Sequence, residues 1–271
     1  MHNYLLSAAI GDIAGAPYEF RGTKEYGNVD LLLPSNNYTD DTVCTFACAE
    51  ALIKNRDMAE NLWKRCREEI FRGFGGKFFR WLIADEIQPA YNSYGNGSGM
   101  RVSAAGFMAR NVEECIELAT RTALPTHNHP EGIKGAVATA LAIYYGMEGK
   151  DKNFIKKEVL DKYYPDWSYL GYTDIKPRYT FDATCQNTIP AAIICFLESN
   201  DYADCLKLAI ALGGDADTLG AISGPMAYAY YKMMPDELII NAKSKLPVWM
   251  LEINEAFDAY VHNNVNKTVD K

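Results

Sequence analysis

The stretch Gly213-Gly214-Asp215-Ala216-Asp217-Thr218, with the run behind it, limits the fold most. That run is Leu219-Gly220-Ala221-Ile222-Ser223-Gly224-Pro225-Met226-Ala227-Tyr228-Ala229. It is small-residue and apolar all round, and reads as a helix that other helices must cover. The adjacent glycines permit a turn that residues with a β-carbon resist. Two aspartates and a threonine then open the helix. One acid at such a start is an ordinary N-cap. Two acids and a hydroxyl, heading a run too apolar to face water, point to ligands for a hard cation.

A second stretch repeats the pattern. Tyr38-Thr39-Asp40-Asp41-Thr42-Val43-Cys44 is followed by Thr45-Phe46-Ala47-Cys48-Ala49-Glu50-Ala51-Leu52. The two clusters together supply Thr39, Asp40, Asp41, Asp215, Asp217 and Thr218. Four carboxylates brought together repel one another strongly. Two divalent cations would balance their charge. A donor set made only of oxygen favours magnesium or manganese over zinc.

The rest of the chain excludes several classes. With 271 residues, 48% of them hydrophobic, it can bury a sizeable core. The net charge of -8 argues against the basic surface of a nucleic-acid binder. No apolar run reaches the length needed to span a bilayer. The seven cysteines, at 44, 48, 66, 115, 185, 195 and 205, form no Cys-x-x-Cys pair. They read as reduced thiols of a cytoplasmic protein. Met1-His2-Asn3-Tyr4 lacks a basic segment ahead of an apolar one, so no signal peptide is expected.

Apolar periodicity predicts helices over Tyr4 to Ala14, Asp40 to Lys54, Met58 to Phe71, Phe78 to Asp85, Met100 to Arg110, Val112 to Ala123 and Glu131 to Met147. Further helices are expected over Lys150 to Tyr164, Ala183 to Leu197, Tyr202 to Leu212, Asp217 to Met233, Pro235 to Lys245 and Trp249 to Val261. Gly11, Gly15 and Pro17 are expected to punctuate the end of the first. Alternating strands are scarce. The expected fold is all-α, a single domain over residues 1–265 with a short polar tail over 266–271.

Four segments in order carry a family resemblance. They are Gly11-Asp12-Ile13-Ala14-Gly15-Ala16-Pro17-Tyr18-Glu19-Phe20, Thr39-Asp40-Asp41-Thr42, Gly95-Asn96-Gly97-Ser98-Gly99-Met100-Arg101 and Gly214-Asp215-Ala216-Asp217-Thr218. In a helical chain of this size they resemble the ADP-ribosylglycohydrolases, and the dinitrogenase reductase-activating member type in particular. The resemblance implies a compact orthogonal helical bundle. It implies two magnesium or manganese ions held by the six residues above. It also implies hydrolysis of the bond between ADP-ribose and an acceptor.

The acceptor of the bacterial member type is a protein arginine, which makes that linkage the expectation here. Serine-linked ADP-ribose, O-acetyl-ADP-ribose and ADP-ribose 1''-phosphate are the alternatives. A crystallin-like protein without activity is a further one, against which the intact ligand set counts. A two-metal hydrolase that splits the pyrophosphate and releases AMP is another. A monomer is the favoured state.

The glycine-rich segment suits phosphates on its own chemistry, because amides at a helix start point at an anion. Asn96, Gly97, Ser98, Gly99 and Met100 are therefore expected at the substrate, with Ser98 adding a hydroxyl. Arg101 either pairs with a core aspartate such as Asp12 or touches the ligand, and the structural reading is preferred. His127 is expected to bond the ligand, unless it or His129 simply caps the helix after Pro130. Asp12 is an expected orienter, and Asp182 another. Glu19 is expected to act on the substrate or its water, with Asp40 or Asp41 as the competing base. Tyr169, Tyr172 and Tyr179 are either adenine-stacking residues or a packed loop.

Overall fold

The computed structural model describes residues 2–20 and 22–265. Met1, Arg21 and the polar tail expected over 266–271 lie outside them. The described residues form an all-α fold. Its helices are α1 (Leu6–Gly15), α2 (Asp40–Ile53), α3 (Met58–Glu68), α4 (Gly76–Ile83), α5 (Gly97–Met100), α6 (Ser103–Met108), α7 (Val112–Ala123) and α8 (Pro130–Met147). There follow α9 (Lys152–Ile155), α10 (Asp161–Tyr163), α11 (Tyr172–Ile175), α12 (Cys185–Glu198), α13 (Tyr202–Leu212), α14 (Ala216–Tyr231), α15 (Asp236–Lys245) and α16 (Val248–Asn264). Among the described residues the sole β feature is an isolated antiparallel bridge between Gly95 and Thr184.

The middle of the molecule is the α1–α14 pair. α14 is buried from Ala216 to Ala229, and every residue of α1 is buried. Glycine is what permits this. A β-carbon on Gly11 would fall onto the backbone of Gly220, and one on Gly15 onto that of Ala216 and Asp217. Gly224 likewise abuts Ser7 O. The two backbones therefore touch with no side chain between them. Gly11 thus does not end α1, as expected from sequence, but serves its interior as a contact surface.

α2 lies over α3 and is tied to it by charge. Glu50 is buried; its oxygens accept from Arg65 Nε (2.7 Å) and Nη2 (2.9 Å) and from Lys54 Nζ (2.9 Å). Burial alone would raise its pKa, but the bonds from Arg65 and Lys54 outweigh that and hold it at about 2. Every cysteine is free and buried.

Three helix expectations are corrected. The helix expected over Met100 to Arg110 is two short ones, α5 and α6, separated at Arg101 and Val102. α5 begins inside the glycine-rich segment, where Asn96 O accepts from the amides of Gly99 (2.8 Å) and Met100 (3.1 Å). The one expected over Lys150 to Tyr164 is interrupted by a π turn at Lys156–Leu160. α3 stops at Glu68, three residues before Phe71. No described helix is long and apolar enough to cross a membrane.

Candidate active site

Asp12 builds the first half of the site. It sits in α1 with no exposed surface and accepts four hydrogen bonds from the start of α2. These come from Thr39 N (2.9 Å), Thr39 Oγ1 (2.8 Å), Thr42 N (3.1 Å) and the Thr42 hydroxyl. Burial pushes its carboxyl upward while these bonds oppose the shift. A single carboxylate therefore fixes the first turn of α2, where Thr39 also caps the helix through Asp41 N (3.3 Å). Arg101 is not the partner of Asp12. It is buried at the wall of the cavity described below, donating to Thr122 O from Nε (3.0 Å) and Nη2 (2.8 Å) and to Thr126 Oγ1 (2.9 Å).

The second half comes from the turn before α14. Gly213 and Gly214 both have positive φ, 77° and 98°, a conformation that favours glycine. The turn delivers Asp215, whose Oδ2 accepts from Asn96 Nδ2 (2.7 Å). Asp217 Oδ1 accepts from Thr218 N (2.9 Å). Because α1 and α14 touch at glycine, the two halves face each other. Thr39, Asp40, Asp41, Asp215, Asp217 and Thr218 all line one cavity of about 320 Å³. Glu19, Gly95, Asn96, Gly97, Met100 and His127 line it too.

Ser98 and Gly99 are not brought to that lining. The Ser98 hydroxyl donates to Gly132 O (2.7 Å), and Gly99 packs on Ile189 of α12. Asn96 is spent partly inside the protein, since its amide also donates to Thr188 Oγ1 (3.2 Å). Asp182 caps the start of α12 through Thr184 N (2.7 Å) and Asn187 Nδ2 (2.7 Å). Tyr172 and Tyr179 are buried and Tyr169 is exposed; none of the three lines this cavity.

Electrostatics favour a cation here. Burial is the first cause that raises Asp41 and Asp217 well above the ordinary carboxylate range, and the neighbouring aspartates add to it. Asp215 is raised as well, chiefly by burial. Asp40 is pushed up to about 8 by burial and by Asp12. Asp41 Oδ1 is buried with no hydrogen-bond partner. Glu19, Asp215 and Asp217 each offer an oxygen within 4.8 Å of the others, so Glu19 joins the aspartates more closely than its place in the sequence implies. An oxygen-only donor set with an orphaned carboxylate oxygen fits a hard divalent cation.

This arrangement makes a signed prediction for metal-free protein. A carboxyl raised in the folded state stabilises fully below its unfolded pKa, near 4, and that contribution is gone once pH passes its folded value. With Asp40 at about 8, metal-free protein should lose melting temperature steadily from pH 5 to pH 8. Saturating magnesium or manganese should flatten the slope. Equal slopes with and without metal in differential scanning fluorimetry would refute the assignment.

His127 is buried, and burial together with the Arg101 charge holds its pKa well below the usual value. Its Nδ1 meets Thr126 Oγ1 at 2.8 Å. That hydroxyl also accepts from Arg101, so it joins the imidazole to the buried guanidinium. Nε2 lies beside Gly95 and Gly97, at the cavity wall. His129 is the capping histidine, its Nδ1 accepting from Glu131 N (3.1 Å).

Sequence reasoning missed several lining residues: Arg72, Gly73, Lys77, Phe78, Tyr91, Ser93 and Phe181. The 72–77 loop is joined to the site by Asp40 N, which donates to Arg72 O (2.9 Å). Its three glycines were the available signal. Lys24 carries no motif in the sequence, yet it ties the site loop down. Its Nζ donates to Lys176 O (3.2 Å), Tyr179 O (2.5 Å) and Leu212 O, clasping the chain beyond Glu19 to two other segments. Lys24→Met should lower turnover by up to about 100-fold, the scale of a catalytic group misplaced by about 1 Å. Metal content should stay at the wild-type level and Lys24→Arg should restore part of the loss. A fall in metal content, measured by plasma emission, would contradict a positioning role.

Comparison with known proteins decides the family. Residues 1–260 match the family model for ADP-ribosylglycohydrolase. The chain belongs to the ADP-ribosylglycohydrolase family. It is 26% identical to ADP-ribosylhydrolase ARH3 of Mus musculus over 84% of this chain and 83% of that one. It is 24% identical to ADP-ribosyl-(dinitrogen reductase) glycohydrolase of Rhodospirillum rubrum over 94% of this chain and 92% of that one. A solved structure titled ADP-ribosylglycohydrolase-related protein complex shares its fold, with a TM-score of 0.72 and 23% identity over 96% of this chain and 94% of that chain. This ADP-ribosylglycohydrolase is an enzyme, and its chemistry is the hydrolytic removal of ADP-ribose.

Proposed function

We propose that this ADP-ribosylglycohydrolase holds two divalent cations, magnesium or manganese, and removes ADP-ribose from an arginine side chain of a modified protein. The observation that most supports it is the convergence of Thr39, Asp40, Asp41, Asp215, Asp217 and Thr218 on one cavity. The Rhodospirillum rubrum relative is named for an ADP-ribosylated protein, which supports a protein substrate. The arginine linkage follows the bacterial member type that the motifs resemble. The seven free, buried cysteines support a reducing, cytoplasmic setting.

When bound, the cations supply positive charge for the hydroxyls of the distal ribose and for charge that develops in the reaction. The chain's own groups do the rest. Gly95, Gly97 and Met100 offer a close backbone approach for the phosphates, and His127 offers the Nε2 edge of a neutral imidazole. Glu19 is the proton carrier. Without metal, burial, then Asp215 and Asp12, push it up to about 7; cations at the aspartates would offset the second cause, and the carboxylate then takes a proton as general base and returns it as general acid. Water oxygen bonds to the anomeric carbon as the carbon–nitrogen bond breaks. The bond's electron pair stays on the guanidine nitrogen. Glu19 takes the water's proton and passes one to that nitrogen, releasing ADP-ribose and free arginine.

A panel of ADP-ribose conjugates on arginine, on serine, on acetate and on phosphate tests this reading. Release of ADP-ribose, followed by mass, is expected fastest from arginine. It should stop in excess EDTA and return with magnesium or manganese. Release from serine with arginine untouched would overturn the linkage, and full turnover with metal shown absent would overturn the metal centre.

A further inference from the structure

We propose that Phe20 and Phe181 form an aromatic platform at the cavity mouth that receives the acceptor side of the substrate as a flat cation, a guanidinium. This rests on the arginine reading above and assigns it to residues. The two rings stack with centroids 6.0 Å apart and planes 23° apart. Yet Phe20 is 81% exposed and Phe181 50% exposed. Single exposed apolar residues are ordinary on a protein surface. A stacked pair beside a cavity lined with carboxylates gains little from core packing.

Position gives the pair its role. Phe181 lines the cavity, and Phe20 directly follows Glu19, which lines it too. Glu19 sits with Asp215 and Asp217, where the distal ribose is held in the reading above. The acceptor begins at the nitrogen that Glu19 serves, so its next atoms leave the site past Phe20. Gly95, Gly97 and His127 come from other segments, near α5 and α8, and serve the rest of the nucleotide.

The pair is held ready. Lys24 Nζ bonds Lys176 O and Tyr179 O, joining the chain after Phe20 to the chain before Phe181. Tyr18 Oη accepts from Asp30 N (2.8 Å), closing the Phe20 loop on its other side. Asp182, the residue after Phe181, is anchored by its carbonyl, which accepts from Thr188 Oγ1 (2.9 Å). Rings fixed before binding lose little entropy when they meet a ligand.

The chemistry of the platform selects a cation. Aromatic faces carry partial negative charge and attract guanidinium groups. A planar group between two rings needs about 7 Å, twice the usual contact distance, so at 6.0 Å the guanidinium stacks on an outer face.

Two measurements test the platform independently of the reaction. In the first, agmatine and its urea counterpart, a neutral isostere, are titrated into enzyme saturated with ADP-ribose and metal. Wild-type protein is expected to bind agmatine about tenfold more tightly, the scale of a partly desolvated cation–π contact. Phe20→Leu and Phe181→Leu should erase the difference and Phe20→Trp should keep it. In the second, kcat/KM for the arginine conjugate should fall about tenfold in the leucine variants while acetate and phosphate conjugates are unaffected. ADP-ribose affinity and metal content should not change.

Equal binding of agmatine and its isostere by wild-type protein overturns the platform. So does a loss shared by all conjugates, or a drop in ADP-ribose affinity, which would make the pair a prop for Glu19. If agmatine binds as expected but the arginine conjugate is not cleaved, the platform stands and the proposed reaction fails.

Discussion

Asp215→Asn is expected to weaken metal binding and turnover together, each by about 100-fold or more, beyond the usual penalty for disturbing groups around a metal. The substitution keeps shape and removes charge. It also sets an amide against Asn96 Nδ2, which now donates to Asp215 Oδ2 at 2.7 Å. Affinity for ADP-ribose should fall in step, because in the proposed mechanism the cations grip the ribose. Stability separates a ligand from a structural residue. Each cation, at 100 times its dissociation constant, should stabilise wild-type protein by about 2.7 kcal/mol. At about 2–4 °C per kcal/mol that is a rise of roughly 5–11 °C.

In Asp215→Asn most of that rise should vanish. The metal-free variant should nevertheless melt above metal-free wild type, because one buried, raised carboxyl has gone. A metal-free variant that melts lower, with its metal response intact, would make Asp215 a structural residue. Calorimetry with ADP-ribose and melting with and without EDTA supply both readings.

Glu19→Gln is expected to do something different. It removes the proton carrier and leaves the aspartates of α2 and α14 in place. The single-turnover rate constant should drop by about 100-fold or more, the scale of general acid–base catalysis. ADP-ribose affinity should change little, because the lost interaction belongs to the transition state. Metal content carries the sharper question, since Glu19 offers an oxygen within 4.8 Å of those of Asp215 and Asp217. Loss of one equivalent of metal would make Glu19 a ligand. Near wild-type turnover would move the base to Asp40 or Asp41 and leave Glu19 as a gate.

The legible parts of this protein were the local ones. Long helices such as α7 and α13 are written in periodicity and were placed correctly from sequence alone, with both ends right. The acid clusters were visible because two acids at the head of an apolar run are anomalous within a few residues. Long-range contacts were not visible. Asp12 and Thr39 lie 27 positions apart, and Asn96 and Asp215 lie 119 apart, so no window contains either pair.

Ser98 shows the opposite error. Its neighbours and glycine context suit a phosphate donor, yet its hydroxyl turns inward to Gly132 O on a different helix. Gly11 was read as a terminator because a glycine in a helix is usually unfavourable by about 1 kcal/mol. Only its opposite number, Gly220, explains its place, and that residue lies on the far side of the chain. Lys24 and Phe181 carried no motif. Their roles follow from three carbonyls and one ring brought to them by distant segments.

The glycine contact between α1 and α14 also bears on how such an enzyme can diversify. The distance between its two acid-bearing halves is set where main chain meets main chain, at Gly11 with Gly220 and Gly15 with Ala216. The α2 half is tied to that frame by the buried carboxylate of Asp12, which holds Thr39 and Thr42. The rim, with Phe181, the Phe20 ring stacked on it and the 72–77 stretch, can therefore accumulate substitutions without moving the acids. A lineage or an engineer can redraw the acceptor preference on a fixed chassis. A methyl group at Gly11 would do the reverse, sparing every residue that meets the substrate while dislodging the frame that holds them.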